Sequence, residues 1–211
     1  MHIDTFVLGD FLTNCYVVRV DESRKDCVLI DPGLHPYPLV QFLQQQTLNP
    51  EAVIITHGHI DHIGGVEIIR ENWPRTKVYI HKADAEMLTD PNENLSMVAG
   101  TVFQARPAEV VIDGQTEIRA AGLRFEVLHT PGHTPGGICL HCPSDGIAFV
   151  GDTLFAGSVG RSDFPGGSHE QLIQSIQTQL LVLPETTRIY PGHGPHTTLR
   201  NEKKHNPFLQ Q

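Results

Sequence analysis

The chain has 211 residues, 39% hydrophobic and 18% charged, with a net charge of −9. That length buries a substantial core in one domain, residues 1–211, since no spacer divides it. No apolar run approaches the ~20 residues of a membrane helix, and the 15 Lys plus Arg of this acidic chain form no basic stripe, which argues against nucleic acid as a partner.

From the N-terminus, HIDTFVL and NCYVVRV read as strands, and the polar turn DESRK leads to CVLI, an antiparallel start that stops at Asp31-Pro32-Gly33. The opening MHIDTFVLGD has neither a basic segment nor an apolar stretch with a cleavage site, so the expected address is the cytoplasm. A helical pattern from Pro38 (Leu39, Val40, Phe42, Leu43) runs to QQQ, and AVIIT follows as a buried strand with His57 directly after it. A second helix is expected over about 64–72, stopped by Pro74, then a strand KVYI and a helix KADAEMLTD. Residues 91–108 have weak periodicity and several turn formers; they read as a loop with one short helix at most, placed to act as a lid.

Beyond that loop, EVVI, LRFEVLHT, GGICLHC and GIAFV read as strands, mostly hairpins, with turn signals at Asp113-Gly114 and Ser144-Asp145-Gly146. Ser168 and Gln171 form a capping box, and Leu172, Ile173, Ile176 and Leu180 give an apolar stripe, so a helix spans about 168–182. A last strand, TRIY, leads into Pro191-Gly192-His193. Strands followed by helices in each half, with hairpins between, give an α/β (α+β) fold: two mixed sheets packed face to face with helices outside, an αββα sandwich.

Four cysteines, Cys15, Cys27, Cys139 and Cys142, are too few and scattered for a disulfide scaffold and are expected as thiols. Cys139 and Cys142 make a CxxC without a second one, so a zinc knuckle or redox pair is the minor reading.

The 13 histidines carry more information, because several lie in Gly-flanked clusters that point to metal. In THGHIDH, His57, His59, Asp61 and His62 follow a buried strand and precede Gly64-Gly65, so the motif reads as a loop that fans side chains two ways. His57 and His59 can reach one ion, Asp61 and His62 a second. His133 in HTPGHTPG, Asp152 in FVGDT and His193 in YPGHG each stand beside glycine at or just after a strand end. Singly, each is more often a cap or a satisfied core residue; together with the first motif they form a set. Seven donors suit two divalent ions if one carboxylate bridges, and Asp152 is best placed to do so. Zinc is the first expectation, although iron and manganese accept the same mixed N/O set. Two ions roughly 3.5–4 Å apart lower the pKa of a shared water to about 7 and polarise the group it attacks, which means hydrolysis at neutral pH. Their charge outweighs two carboxylates and a hydroxide, so anionic substrates should be drawn in. A metal-binding scaffold without turnover is the reading from another class; against it stands the cost of burying seven polar groups together without metal.

In that order, DPG, THGHIDH, HTPGHTPG, GDTLF and PGH resemble the metallo-β-lactamase fold superfamily over nearly the whole chain. Within it, GDTLFAGSVGRSDFPGG and PGHGPHTTLRNEKKHNPFL are similar to the glyoxalase II (hydroxyacylglutathione hydrolase) branch, particularly its short single-domain bacterial members. The resemblance implies a thioesterase acting on a small anionic thioester. It implies His57, His59 and His133 on the first metal, Asp61, His62 and His193 on the second, and Asp152 on both. Asp61, Asp152 and Arg161 would carry catalysis, Arg161 by contacting an anionic part of the substrate. Asp31 would orient a ligand histidine, a position where a turn-forming Asp before Pro reads equally well.

Full-length members add a C-terminal helical domain with basic residues for glutathione, which this chain, ending at Gln211, is expected to lack. Where that family supplies a Lys and a Tyr after GDTLF, this sequence has Arg161 and Asp163, and Gly194-Pro195 replaces the Tyr that usually follows the last ligand histidine. Glutathione is therefore not the implied carrier by default. Arg161-Ser162-Asp163-Phe164 also resembles the matching stretch of persulfide dioxygenases, which share the fold but use one iron and molecular oxygen; this is the rival enzyme reading. The expected lack of a signal peptide and the NPFL segment point away from a β-lactamase. A monomer or homodimer is expected.

Overall fold

Strand β1 (His2–Leu8) runs antiparallel to β2 (Thr13–Arg19), which runs antiparallel to β3 (Asp26–Ile30). In this computed structural model residues 1–114 and 116–210 are described; Gln115 and Gln211, part of the expected single domain, lie outside the described residues. After helix α1 (Tyr37–Gln45) the chain turns parallel, adding β4 (Asn49–Ile54), β5 (Lys77–His81) and β6 (Val110–Ile112) in sequence order. The second sheet contains β7 (Glu117–Ala120), β8 (Leu123–His129), β9 (Ile138–Cys142) and β10 (Ile147–Gly151) as a meander. It is completed by β13 (Arg188–Pro191), parallel to β10, and β14 (Thr197–Thr198), while β11 (Leu154–Phe155) and β12 (Ser158–Val159) form a separate small hairpin. Both large sheets are mixed, as the sequence leads one to expect.

Period-two alternation sorts the strands onto three cores. In β2, Cys15 and Val17 pack outward with Leu39, Leu43 and Ile69, while Tyr16 and Val18 face Phe125, Leu140 and Phe149 of the other sheet. Ala148 and Val150 of β10 pack outward with Leu172, Ile176 and Leu199. That makes four layers, and a strand buried on both faces explains why NCYVVRV carries few polar residues. The same geometry disposes of the CxxC: three apart on one strand, Cys139 and Cys142 point to opposite faces and into different cores. All four cysteines are buried free thiols, and burial raises the pKa of each.

Several helices differ from expectation. The helix expected over about 64–72 is present as α3 (Val66–Asn72), but an unexpected short helix, α2 (Ile60–Ile63), precedes it across Gly64-Gly65. Thus Asp61 and His62 sit on a helical turn and not on a loop; His59, still extended, closes it by accepting from the His62 and Ile63 N–H groups. The expected helix 82–90 is a tight 3₁₀ stretch, Lys82–Leu88, with the His81 ring accepting from Ala83 N–H. The helix expected over 168–182 is α4 (His169–Ser175), capped by Ser168 Oγ, which widens into a π-helical turn over Ile176–Leu180. Residues 91–108 hold turns and no helix. The short strands β7, β11, β12 and β14, and helix α5 (Leu199–His205), are not legible in the hydrophobic pattern. No helix among the described residues is long and apolar enough to cross a membrane.

Strand direction places the site. The C-terminal ends of β3, β4, β8, β10 and β13 and the start of β2 open on one edge of the sandwich, because β3 and β4 run parallel, as do β10 and β13, and β8 is antiparallel to β9 as β9 is to β10. Backbone links join the sheets there, among them Ile138 N–H to Thr56 O at 2.9 Å, Asn14 N–H to Gly192 O at 2.7 Å and the bridge between Thr13 and His193.

Candidate metal centre

Every donor named from the sequence lies at that edge. His57 and His59 follow β4, Asp61 and His62 ride on α2, His133 lies in the β8–β9 loop, Asp152 follows β10 and His193 follows β13. They fall into three adjoining groups: His57, His59 and His133; His57, His62 and Asp152; Asp61, His62 and His193. The nearest approaches are His59 Nδ1 to His133 Nε2 at 2.9 Å and His133 Nε2 to His57 Nε2 at 3.2 Å. Across the second half, His193 Nε2 lies 3.1 Å from Asp61 Oδ2 and 3.5 Å from Asp152 Oδ2, and His62 Nε2 is 3.4 Å from both Asp61 Oδ2 and Asp152 Oδ1.

Hydrogen bonds behind the rings fix which nitrogen faces inward. Thr56 Oγ1 donates to Asp31 Oδ2 at 2.6 Å, so the same oxygen accepts from His57 Nδ1–H at 3.2 Å. His133 Nδ1–H donates to Arg161 O at 2.6 Å, and His62 Nδ1–H donates to Asp31 Oδ2 at 2.9 Å. The Nε2 lone pairs of His57 and His133 therefore point at one another, an arrangement that repels unless a cation lies between. His62 Nε2 and Asp152 Oδ1 are buried and make no hydrogen bond at all. Donors about 2.0–2.1 Å from a tetrahedral ion sit roughly 3.3 Å apart, the spacing seen here, so this residue set fits divalent metal.

Charge divides the donors. Burial, aided by the neighbouring imidazoles, holds His57 far below the usual histidine range and His59 at about 3, so both rings are neutral. In the other half burial opposes charge and loses to it: His62 is pushed well up by Asp61, Asp152 and Asp31, and His193 to about 9 by Asp152 and Asp61. Burial likewise works against the ionised carboxylates, yet His62 holds Asp61 at about 2 and Asp152 well below its usual range.

The supports behind these groups were less legible. Asp84, fully buried, accepts from Gly58 N–H at 3.0 Å, Thr134 Oγ1 at 2.7 Å and Gly136 N–H at 2.6 Å, tying the His57–His59 loop to the His133 loop. Burial raises the pKa of this carboxyl, against those three donors. Asn14 Nδ2 donates to Pro191 O and Gly194 O, and Tyr16 OH to Pro191 O, clamping the His193 turn onto β2. Thr13 Oγ1 donates to Asp61 Oδ2 at 2.9 Å. Buried Glu202 on α5 receives Gly157 N–H and Thr197 Oγ1, fixing the turn between β11 and β12. Only the tight Asp31-Pro32-Gly33 turn carried a sequence signal of this kind. Gly192 is required, since a Cβ there would strike Asp152 Oδ1 and the His62 ring.

A cavity of about 410 Å³ opens over His59, Asp61, His133, Asp152 and His193. Arg161 lines it, but its Nε and Nη2 donate to both oxygens of Asp163 at 2.8 Å, and its guanidinium lies 3.9 Å from the centre of the Phe164 ring.

Residues 8–193 match the family model of the metallo-beta-lactamase superfamily. Hydroxyacylglutathione hydrolase GloC of Haemophilus influenzae is 35% identical over 99% of this chain and 98% of its own length. The crystal structure of BLEG-1 B3 metallo-beta-lactamase superposes with a TM-score of 0.95 at 36% identity, covering 100% of both chains. That of TTHA1623 in a di-iron-bound form gives 0.85 at 39% identity, covering 98% of this chain and 100% of the other. With a full complement of histidine and aspartate donors, a two-sheet sandwich and this match over most of its length, the chain belongs to the metallo-β-lactamase superfamily of metallo-hydrolases.

Proposed function

We propose that this metallo-hydrolase cleaves thioesters, in the manner of a hydroxyacylglutathione hydrolase, at a centre of two divalent ions, with zinc the expected metal. The observation that carries the reading is the continuity of the donor groups: His57, His62 and Asp152 join the two outer triads into one seven-residue set. His57, His59 and His133 would hold one ion, Asp61, His62 and His193 the other, and Asp152 both. Bound there, two ions supply a water acidified into the neutral range and a Lewis acid for the thioester carbonyl.

The chain's own groups do the positioning. Asp31 and the Arg161 carbonyl lock the His62 and His133 tautomers. Thr13 holds the Asp61 carboxylate towards His193. Arg161, at the cavity wall, meets an anionic part of the substrate in exchange for Asp163. No further side chain is needed as base. The relative named hydroxyacylglutathione hydrolase supports this reading, and the one named a β-lactamase is the reason to include a β-lactam among the substrates tested. The proposed substrate is a small thioester, not nucleic acid, and the proposed setting is the cytoplasm.

A one-iron persulfide dioxygenase would leave Asp61 and His193 with no ion of their own. A thioester panel assayed with zinc, iron and manganese decides the matter. The expected result is thioester turnover with two metals per chain, lost in His133→Ala. One iron per chain with oxygen uptake on a persulfide would replace this reading.

A further inference from the structure

Apart from the metal donors and Arg161, the cavity is walled by Phe11, Ile60, Leu95, Val98, Ala99 and Phe164. None of these side chains can donate or accept a hydrogen bond. The single cation is occupied by Asp163 and stacked on Phe164. The apolar wall extends outward: Phe11 is 50% exposed and Val98 77%, and on the same two loops Leu12, Met97 and Val102 are also at least half exposed. Contiguous exposed apolar surface beside a polar centre marks a surface that something apolar covers.

Both loops are held in place. Buried Asn94 donates through Nδ2 to Met87 O and Phe103 O and accepts from Ser96 N–H, and its own carbonyl accepts from Ile60 N–H at 2.9 Å. That ties the 91–108 segment to α2, the element carrying Asp61 and His62. Each loop also holds a leucine in the left-handed region, Leu12 at φ 56° and Leu95 at φ 66°. Leucine rarely adopts that conformation, and it persists where surrounding contacts impose it.

We propose that the two loops form an acyl-binding groove, so that this site selects thioesters whose acyl arm is a plain aliphatic or aromatic chain over those bearing a 2-hydroxyl. The proposal rests on the thioesterase reading and sets its acyl class apart from the hydroxyacyl arm in the name of the Haemophilus influenzae relative. A hydroxyl beside the carbonyl finds no side-chain partner in the wall, whereas each methylene laid along Phe11, Leu95 or Val98 leaves water.

The test is kinetic, on metal-loaded protein, with thioesters of one neutral thiol, N-acetylcysteamine: acetyl, butanoyl, hexanoyl and 2-hydroxyhexanoyl. The expected kcat/KM rises about fourfold per methylene until the chain outgrows the cavity, and hexanoyl exceeds 2-hydroxyhexanoyl by about tenfold or more. Phe11→Ala and Val98→Ser, at exposed positions where folding is not at stake, should flatten the chain-length slope, while Val182→Ser, exposed and outside the cavity, should not. A flat series, a preference for 2-hydroxyhexanoyl, or a slope indifferent to Phe11 and Val98 overturns the groove. Calorimetric binding of hexanoate against acetate keeps the two readings apart. If no thioester turns over but hexanoate binds on the order of a hundred times more tightly or more and Phe11→Ala abolishes that margin, the hydrolase reading fails and the apolar groove stands. Equal affinities sink the groove whatever the turnover.

Discussion

His57, His59 and His133 make an all-imidazole group in which His57 and His59 are held neutral, whereas Asp61, His62 and His193 mix carboxylate with histidines that their acidic neighbours keep protonated. The first group is ready for a cation: lone pairs converge, and no proton need leave His57 or His59. The second has its positive charge already, as protons, which an ion must displace. Asp152 belongs to both halves, lying 3.4 Å from His62, 3.5 Å from His193 and 3.7 Å from His133. The difference teaches that one centre can hold one ion firmly and make the other depend on solution conditions.

The hardest blow to that picture is Asp152→Ala. It should reduce thioester turnover by on the order of 10³-fold, since several kcal/mol of stabilisation at the reacting carbonyl depend on paired ions, and metal content should fall below two per chain. Unchanged metal content would break the assignment of Asp152 to both halves.

Acidity separates the halves next. His193, raised to about 9, and His62, raised well above the usual histidine range, each carry a proton at pH 7 that the second ion must expel, so affinity there should rise by up to about a hundredfold per pH unit up to about 9 and fall as pH falls. His57, held far below the usual range, and His59, lowered to about 3, have no proton to lose above pH 5, so neither adds pH dependence to the first ion's affinity. Competition titrations with a chelator between pH 6 and 8 would show a change of up to about 10⁴-fold for the second ion and a shallower one for the first. Parallel slopes would erase the distinction.

Two buried carboxylates support the halves unequally: Asp31 touches His62 directly and reaches His57 only through Thr56, whereas Asp84 serves the first half alone. Asp31→Asn should weaken the second ion through His62, and Asp84→Asn the first through the Gly58 and His133 loops, each by about 10–100-fold. Asn cannot replace Asp84, because all three of its partners donate and an amide nitrogen accepts nothing. Metal affinities measured ion by ion would sharpen the comparison, and a swap of the two effects would overturn it. The smallest effect belongs to Asp163→Asn, which releases exposed Arg161 and should improve turnover of anionic thioesters by about threefold or less.

The four layers and the seven residues of the candidate centre were readable because strands buried on both faces, and histidines packed beside glycine, leave dense local signals. The helical turn bearing Asp61 and His62 was not, since a four-residue helix offers no periodicity; it exists because His59 and Asn94 supply its closing hydrogen bonds. Asp84 and Glu202 were invisible for a different reason. In sequence each is one acid among polar neighbours in KADAEML and LRNEKKH, and only tertiary packing turns it into a buried acceptor. The β11–β12 hairpin and β14 are two-residue strands that contacts at the site edge define. Arg161 was legible as a cation near the site, but its bidentate partner two residues on becomes apparent only in the fold.

The two-ion claim is tested most directly by adding zinc stepwise to metal-free protein while following bound metal and thioester turnover together. The account predicts that two ions bind per chain, that turnover tracks the second, and that His193→Ala stops at one ion with turnover near background. Full turnover at one ion per chain, unaffected by His193→Ala, would contradict it.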